Sequence, residues 1–349
     1  MSEHRFNHIW KLADGYPAPG ITKHDCTVFG CFVCGGGSTM GYKLAGYHHL
    51  GGVEIDESIA TIYKENHHPE NFFTMDVRDF NEKTDLPSEL YNLDLLDGSP
   101  PCTTFSMAGD REKSWGKTKQ FKEGQKHQRL DDLVFVYCDT IKKLKPKVCL
   151  LENVAGLVQG NGKAYAKQII KYLADEYKVQ VFLLNASTMG VPQNRERCFI
   201  IGLREDFDLP KLKLDFHEKP IFFSEIKDCQ GRPITGEKTL LAWNNRRKSD
   251  RCIGDTNKRI KGKQSNFNCR YAHDDRVLDT ITSSCQMVLY SQPLNMSETE
   301  QLKGTTFPID YKAPKSKVQF LTGMSVPPIM TAQIAWQIYL QWLSKIKGD

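Results

Sequence analysis

Cys102 ends the stretch Asp97-Gly98-Ser99-Pro100-Pro101-Cys102, which follows an apolar run of Leu93, Leu95 and Leu96 broken only by Asp94. The run reads as a strand, and one glycine with two prolines stops it abruptly. A thiol on a rigid turn at a strand's carboxyl end sits where open α/β sheets place their ligands. Alone, it reads as well as a small buried apolar residue, the commoner state of a single cysteine. Glu152 lies near the end of a second apolar run, Lys147-Val148-Cys149-Leu150-Leu151-Glu152-Asn153-Val154. A carboxylate there serves as an acid or hydrogen-bond partner to a substrate nitrogen, or equally well caps the following turn. Arg195 and Arg197 stand two apart in Gly190-Val191-Pro192-Gln193-Asn194-Arg195-Glu196-Arg197, ahead of the apolar residues 198–201. In an extended segment they share a face and could hold a phosphate or a carbonyl together. Without context they are more simply two solvated arginines.

Such groups need strands that end near one another. Residues 27–29 begin a strand that runs into Phe32-Val33-Cys34-Gly35-Gly36-Gly37-Ser38-Thr39-Met40-Gly41. A glycine cluster between strand and helix lets the backbone turn tightly against a ligand. A clean G-x-G-x-x-G is missing, which weakens a dinucleotide reading. Cys31 and Cys34 form a C-x-x-C with no second pair at zinc spacing, so no metal is expected. Residues 51–56 read as a strand carrying Glu54, an acid placed to accept from a ribose, and residues 72–77 as a third ending in Asp76. Helical spacing covers residues 133–144 and 165–177, and a strand is expected at 179–184. The strand-then-helix rhythm predicts an α/β protein with a parallel sheet flanked by helices.

The long glycine-bearing, basic stretch 103–126 beside the thiol has the composition of a lid or of a plain solvated loop. The adjacent pairs His48-His49 and His67-His68 cannot share one face and are read as structural. A chain of 349 residues suggests two domains. Its formal net charge of +5 is mild, so distribution matters more than total. Residues 246–263 concentrate Arg246, Arg247, Lys248, Arg251, Lys258, Arg259, Lys261 and Lys263 against Asp250 and Asp255. With Trp243, Asn244 and Asn245 adjoining, the cluster suits phosphate contact with some base readout, although a solvated basic loop is the simpler reading. The 11 cysteines have no framework spacing, and no signal peptide opens the chain, so reduced thiols in the cytoplasm are expected. No apolar run reaches the roughly 20 residues of a membrane span, and nothing signals oligomerisation, so a monomer is expected.

Taken in order, these stretches resemble the C5-cytosine DNA methyltransferase family, prokaryotic or phage type. Residues 32–41 look like its S-adenosylmethionine loop, Ser99-Pro100-Pro101-Cys102 its nucleophile motif, Glu152-Asn153-Val154 its acid motif, and Gln193-x-Arg195-x-Arg197 its paired arginines. Gly323-Met324-Ser325-Val326-Pro327-Pro328 is similar to the segment that returns to close the cofactor site. The resemblance implies a Rossmann-like S-adenosylmethionine-dependent domain, residues 1–206 and 320–349, and a smaller, irregular DNA-recognition domain, residues 207–319. It implies that Cys102 attacks carbon 6 of a flipped cytosine and that Glu152 contacts N3 and the exocyclic amine. Arg197 would hold O2, and Arg195 would lie near the nucleophile. Phe32, Cys34, Gly35, Gly36, Gly37, Glu54, Ile55, Asp76, Val77, Pro101, Ser325 and Val326 would hold the cofactor. Ser106, Arg246, Arg247, Lys248 and Thr280 would contact double-stranded DNA, and a restriction endonuclease acting separately is a conceivable partner.

Three departures stand out. Cys34 replaces the first glycine of the usual Phe-x-Gly-x-Gly-Gly, Met324 the asparagine of Gly-Asn-Ser-Val, and Thr103 the glutamine after the nucleophile. A tRNA cytosine-5 methyltransferase of the same fold is the alternative, and its Cys-Phe-Thr tripeptide is absent from the chain. A non-catalytic DNA-binding relative would lack the nucleophile or the acid, and both are present. A nicotinamide oxidoreductase would need the missing G-x-G-x-x-G.

Overall fold

The computed structural model describes residues 4–101, 133–160, 162–262 and 269–348. In chain order the first part holds β1 (Thr27–Cys31), α1 (Gly37–Leu44), β2 (His48–Glu54), α2 (Glu57–His67), β3 (Asn71–Thr74), α3 (Val77–Glu82) and β4 (Leu95–Gly98). Then come α4 (Leu133–Leu144), β5 (Val148–Val154), α5 (Gly162–Leu173), β6 (Tyr177–Asn185), β7 (Gln193–Asn194) and β8 (Glu196–Arg204). Seven of these strands form one sheet in the order β3-β2-β1-β4-β5-β8-β6. Pairing is parallel from β3 to β5 and antiparallel where β8 meets β5 and β6. The order reverses between β1 and β4, the switch point where such sheets open a crevice at their carboxyl ends.

Successive residues of the central strands point to opposite faces, and both faces are covered. Val28, Leu95 and Leu150 pack with Met40, Tyr42, Ile334 and Ile338 on one side. Phe29, Leu96 and Leu151 pack with Phe80, Tyr137, Ile141 and Ile169 on the other. Burial on both faces explains why these strands read as unbroken apolar runs. The expected helix over 165–177 ends earlier, at Leu173, and Tyr177 opens β6 instead. The Tyr177 side chain is buried and donates its hydroxyl to the Pro146 carbonyl at 2.9 Å, which fixes it to the sheet.

The remainder comprises α6 (Glu237–Asn244), α7 (Ile253–Lys261), β9 (Arg270–Ala272), β10 (Leu278–Asp279), β11 (Met287–Leu289), α8 (Glu298–Gly304), α9 (Lys315–Met324) and α10 (Pro328–Ile338). Two small apolar clusters, built from residues between Ile221 and Met296, make a separate core. The large core, by contrast, takes in Leu212, Leu302, Phe307, Tyr311, Val318 and Leu321. Apolar side chains near both ends of the stretch 207–319 thus pack with those of α1 and α10. Towards its end the chain forms α9 and α10, with Pro328 opening α10 at a position that needs no N–H. Ile334, Ile338 and Trp342, at i, i+4 and i+8, are all buried. Among the described residues no helix is long and apolar enough to cross a membrane.

Polar side chains stitch the two cores together. Gln193 receives the Ile281 N–H at 3.0 Å and donates to the Gly304 carbonyl at 3.1 Å. Glu300, fully buried, accepts from the N–H groups of Asp228, Cys229 and Ser297 at 2.9, 3.1 and 2.8 Å. Replacing it with alanine strands three backbone donors, an expected loss of about 3 kcal/mol in urea unfolding. Glu300→Gln, which keeps one oxygen, is expected to lose less.

Candidate active site

A cavity opens at the carboxyl ends of β1, β2 and β4. Phe32, Cys34, Gly37, Glu54, Ile55, Asp76, Val77, Pro101, Ser325 and Val326 all line it, so most of the expected cofactor residues converge. Ile55 leaves 42% of its side chain exposed, an apolar surface suited to a flat ring. Glu54 is fixed by the N–H groups of Cys34 at 3.0 Å and Asp56 at 2.9 Å, and burial raises its carboxyl above the ordinary value. Asp76 caps α3 through the Arg78 N–H at 2.8 Å and pairs with the Arg78 guanidinium at 3.1 Å. Gly35 and Gly36 do not line the cavity and instead back the turn. The Gly35 carbonyl accepts from Tyr311 at 2.8 Å and His67 at 3.2 Å. A Cβ on Gly36, at φ +75°, would lie 2.1 Å from the His67 ring. Burial holds His67 down at about 3, so it serves as a neutral donor to that carbonyl.

Cys34 adopts φ +46°, a left-handed conformation. That explains why glycine is usual here: a side chain in this region costs about 1 kcal/mol.

Next to the cavity, β5 and β8 bring the acid and the arginines together. The Arg197 Nε lies 3.0 Å from Glu152 Oε1, and the two side chains are 15% and 11% exposed, so water screens the pair little. Asn153 donates its side-chain N–H to the Pro100 carbonyl at 3.1 Å, tying the acid strand to the Pro-Pro turn. Arg195 is 2% exposed and spends its Nη groups on the carbonyls of Ile281 at 3.1 Å and Gly323 at 3.0 Å. It braces the seam between the two cores, while the charges of Arg197 and Glu152 both act on it. Cys102 and Ser106 lie outside the described residues, as does the stretch 103–126.

Residues 30–340 match the family model for the C-5 cytosine-specific DNA methylase. The chain belongs to that family. It is 28% identical over 236 residues to Type II methyltransferase M.FnuDI of Fusobacterium nucleatum, covering 66% of this chain and 62% of that one. Type II methyltransferase M.DdeI of Desulfomicrobium norvegicum is 33% identical over 175 residues, 49% of this chain and 39% of its own. The chain thus spans less than two thirds of the length of these curated relatives. Type II methyltransferase M1.HphI of Haemophilus parahaemolyticus is 27% identical over 333 residues, 88% of this chain and 85% of its own. The fold matches that of DNMT2 from Spodoptera frugiperda, with a TM-score of 0.63 and 17% identity over 90% of this chain and 100% of that one. It also matches the methyltransferase EhMeth of Entamoeba histolytica, TM-score 0.59 and 14% identity over 91% and 98%.

C-5 cytosine methylases depend on S-adenosylmethionine, and this cavity fits it. The Ser325 hydroxyl is buried at the wall with no hydrogen-bond partner among the described residues. Asp97, also at the wall, is held up at about 7 by burial and by the Glu152 charge. Both are polar groups left for a ligand to satisfy. Met324 replaces an amide with an apolar surface on the same wall.

Of the expected DNA contacts, Arg246 is turned inward. It donates to the Tyr290 carbonyl at 2.6 Å and the Trp243 carbonyl at 2.7 Å, with its guanidinium carbon 3.4 Å from the Trp243 ring centre. Carbonyl bonds and ring stacking hold it more firmly than solvent would. Arg247 and Lys248 stay exposed, the latter 2.7 Å from Asp275. The Thr280 hydroxyl donates to the Asn194 carbonyl at 2.7 Å, beside the short β7–β10 pairing. Asp97, Gln193 and Glu300 were not singled out as functional residues from the sequence. Ser297-x-x-Glu300 is a capping box and could have been read as one. The signal for Asp97 is an acid directly after the apolar run, at the end of the strand that leads to Cys102. Cys34→Gly should relieve the left-handed strain and raise the thermal unfolding midpoint by about 1–2 °C, the shift that ~1 kcal/mol gives in a chain of this length.

Proposed function

We propose that the chain methylates carbon 5 of cytosine in double-stranded DNA, with Cys102 as nucleophile and Glu152 and Arg197 gripping the base. The observation that best supports this reading is the Asn153–Pro100 hydrogen bond. It couples the strand bearing the Glu152–Arg197 pair to the turn that leads directly into Cys102. S-adenosylmethionine, when bound, supplies a methyl group made electrophilic by its sulfonium.

The protein's own groups account for the other steps. A duplex buries carbon 6 in the stack, so the cytosine is first extruded into the site. Cys102 as thiolate forms a bond to carbon 6, and the displaced π electrons leave carbon 5 nucleophilic. Negative charge that builds toward N3 is neutralised by a proton passed from the Glu152 carboxyl, which Arg197 holds in place while its guanidinium also suits the O2 carbonyl. Once carbon 5 carries the methyl group, it loses its proton to a base and the Cys102–carbon 6 bond breaks. The free thiolate and the aromatic ring are restored. Splitting one hard substitution into addition and elimination is the gain of covalent catalysis. Arg195 positions the recognition unit relative to this centre. Arg247, Lys248 and Thr280 are the backbone contacts we assign to DNA.

Transfer of labelled methyl groups to unmethylated DNA, beside structured RNA, tests the reading. The wild type is expected to label DNA, Cys102→Ala to abolish labelling, and Glu152→Gln to lower kcat by roughly 100- to 1000-fold. Labelling of RNA alone would overturn the substrate. For the recognition surface, Arg247→Ala with Lys248→Ala should weaken binding to all DNA sequences alike. The slope of log K against log salt should become shallower by about 2.

A further inference from the structure

Asp97 is 6% exposed at the end of β4, yet it borders the cofactor cavity. Its Oδ1 accepts the Tyr42 hydroxyl at 3.1 Å, and the Ser38 side chain also hydrogen-bonds to it. The ionisable groups acting with it come from every side: Tyr42 on α1, Tyr63 on α2, Cys31 on β1, Tyr137 on α4 and Glu152 on β5. None of them is a cation, and no described residue forms an ion pair with it. Desolvation, together with the negative Glu152, pushes its carboxyl up to about 7. A buried carboxylate without an opposite charge is destabilising. Leu95, two residues earlier on the same face of β4, shows the side chain that packing alone would choose.

The surroundings point to what the acid is for. Ser38 is the second residue of α1, and Gly37, Ser38 and Thr39, its first turn, also line the cavity. First-turn N–H groups lack partners within the helix and attract anions. The wall therefore presents an anion-binding helix end and a carboxylate, joined through the Ser38 side chain. A ligand that answers both carries an ammonium and a carboxylate on one carbon, as an amino acid does.

We propose that Asp97 binds the α-ammonium of S-adenosylmethionine while the first turn of α1 takes the α-carboxylate, a role that rests on the cofactor assignment above. Ionised Asp97 is the binding form, so in the free protein near neutrality the ligand must displace a proton. The ammonium lowers the carboxyl's pKa in the complex, and protonation opposes binding. Affinity therefore declines as pH falls below about 7, by up to tenfold per unit. Above that value Asp97 is already ionised and the dependence on this group levels off.

Calorimetric titration of the intact chain with S-adenosylmethionine, S-adenosylhomocysteine and 5′-methylthioadenosine tests the assignment, since the last lacks the amino-acid end. Asp97→Asn should weaken the first two by roughly 10- to 100-fold and leave the third unchanged. Wild type should release a proton on binding S-adenosylhomocysteine near pH 7, read from the dependence of heat on buffer ionisation, and the variant should not. Equal weakening of all three ligands, or an unchanged affinity for S-adenosylhomocysteine, would overturn the role of Asp97. So would wild-type binding without proton release, which decides the matter even if the variant folds poorly. Failure of the wild type to bind either amino-acid-bearing ligand would remove the cofactor assignment itself, and this inference with it.

Discussion

One buried guanidinium holds three distant stretches of the chain in register. Arg195 reaches from the link between β7 and β8 to the Ile281 carbonyl in the small unit and the Gly323 carbonyl at the end of α9. A cation removed from water is tolerated here because two carbonyl dipoles and the nearby Glu152 charge face it. Arginine suits the position better than lysine, since one planar fork can donate in two directions at once. Gln193, two residues away, repeats the device with a neutral amide that spans Ile281 and Gly304. The acid centre, the recognition unit and the cofactor wall thus share one short brace. A displacement of any of them is felt by the other two.

The same economy governs the cavity. Most buried polar groups in a protein are satisfied internally, and at the seam the Nη groups of Arg195 and the amide of Gln193 are. At the cofactor wall they are left open: among the described residues the Ser325 hydroxyl has no partner, and Asp97 has no counter-charge. Ile55 leaves a large apolar surface uncovered beside the fixed carboxylate of Glu54. Each of these choices costs stability in the empty protein, and a nucleoside bearing a cationic amino acid compensates all of them together. Recognition is built by withholding partners.

The sheet was legible from residues 27 to 204 because its strands are covered on both faces and so announce themselves as apolar runs. What misled was a boundary: Tyr177 extends a helical pattern by spacing, but its hydroxyl finds the Pro146 carbonyl and draws the residue into β6. Of the residues that the motifs single out for the cofactor, all but two line the cavity. Gly35 and Gly36 serve the turn's rear, against His67 and Tyr311, a distinction that only the third dimension makes. Basic residues were harder still. Nothing in the run Arg246-Arg247-Lys248 tells which cation stacks inward on Trp243 and which stays in water. The cover that Leu212 and Phe307 find also lies far away in sequence, where no local pattern announces it.

Cys34 shows how a departure from a pattern can be read physically. Glycine at this position is a statement about backbone, not about the ligand, because φ +46° is open to it at no steric cost. A cysteine accepts the same conformation with some strain, and the turn is held from behind by Tyr311 and His67 on the neighbouring Gly35 carbonyl. The Cys34 N–H still meets Glu54, the contact by which the turn fixes that acid at the cavity. Substitution therefore alters the energy of the turn and the lining of the cavity while leaving its hydrogen-bond geometry in place. Met324 follows the same logic in the lining of the cavity, where lost amide chemistry is exchanged for apolar surface. Both changes fall on the cofactor side of the site. The Glu152–Arg197 pair, by contrast, stands as the family pattern has it.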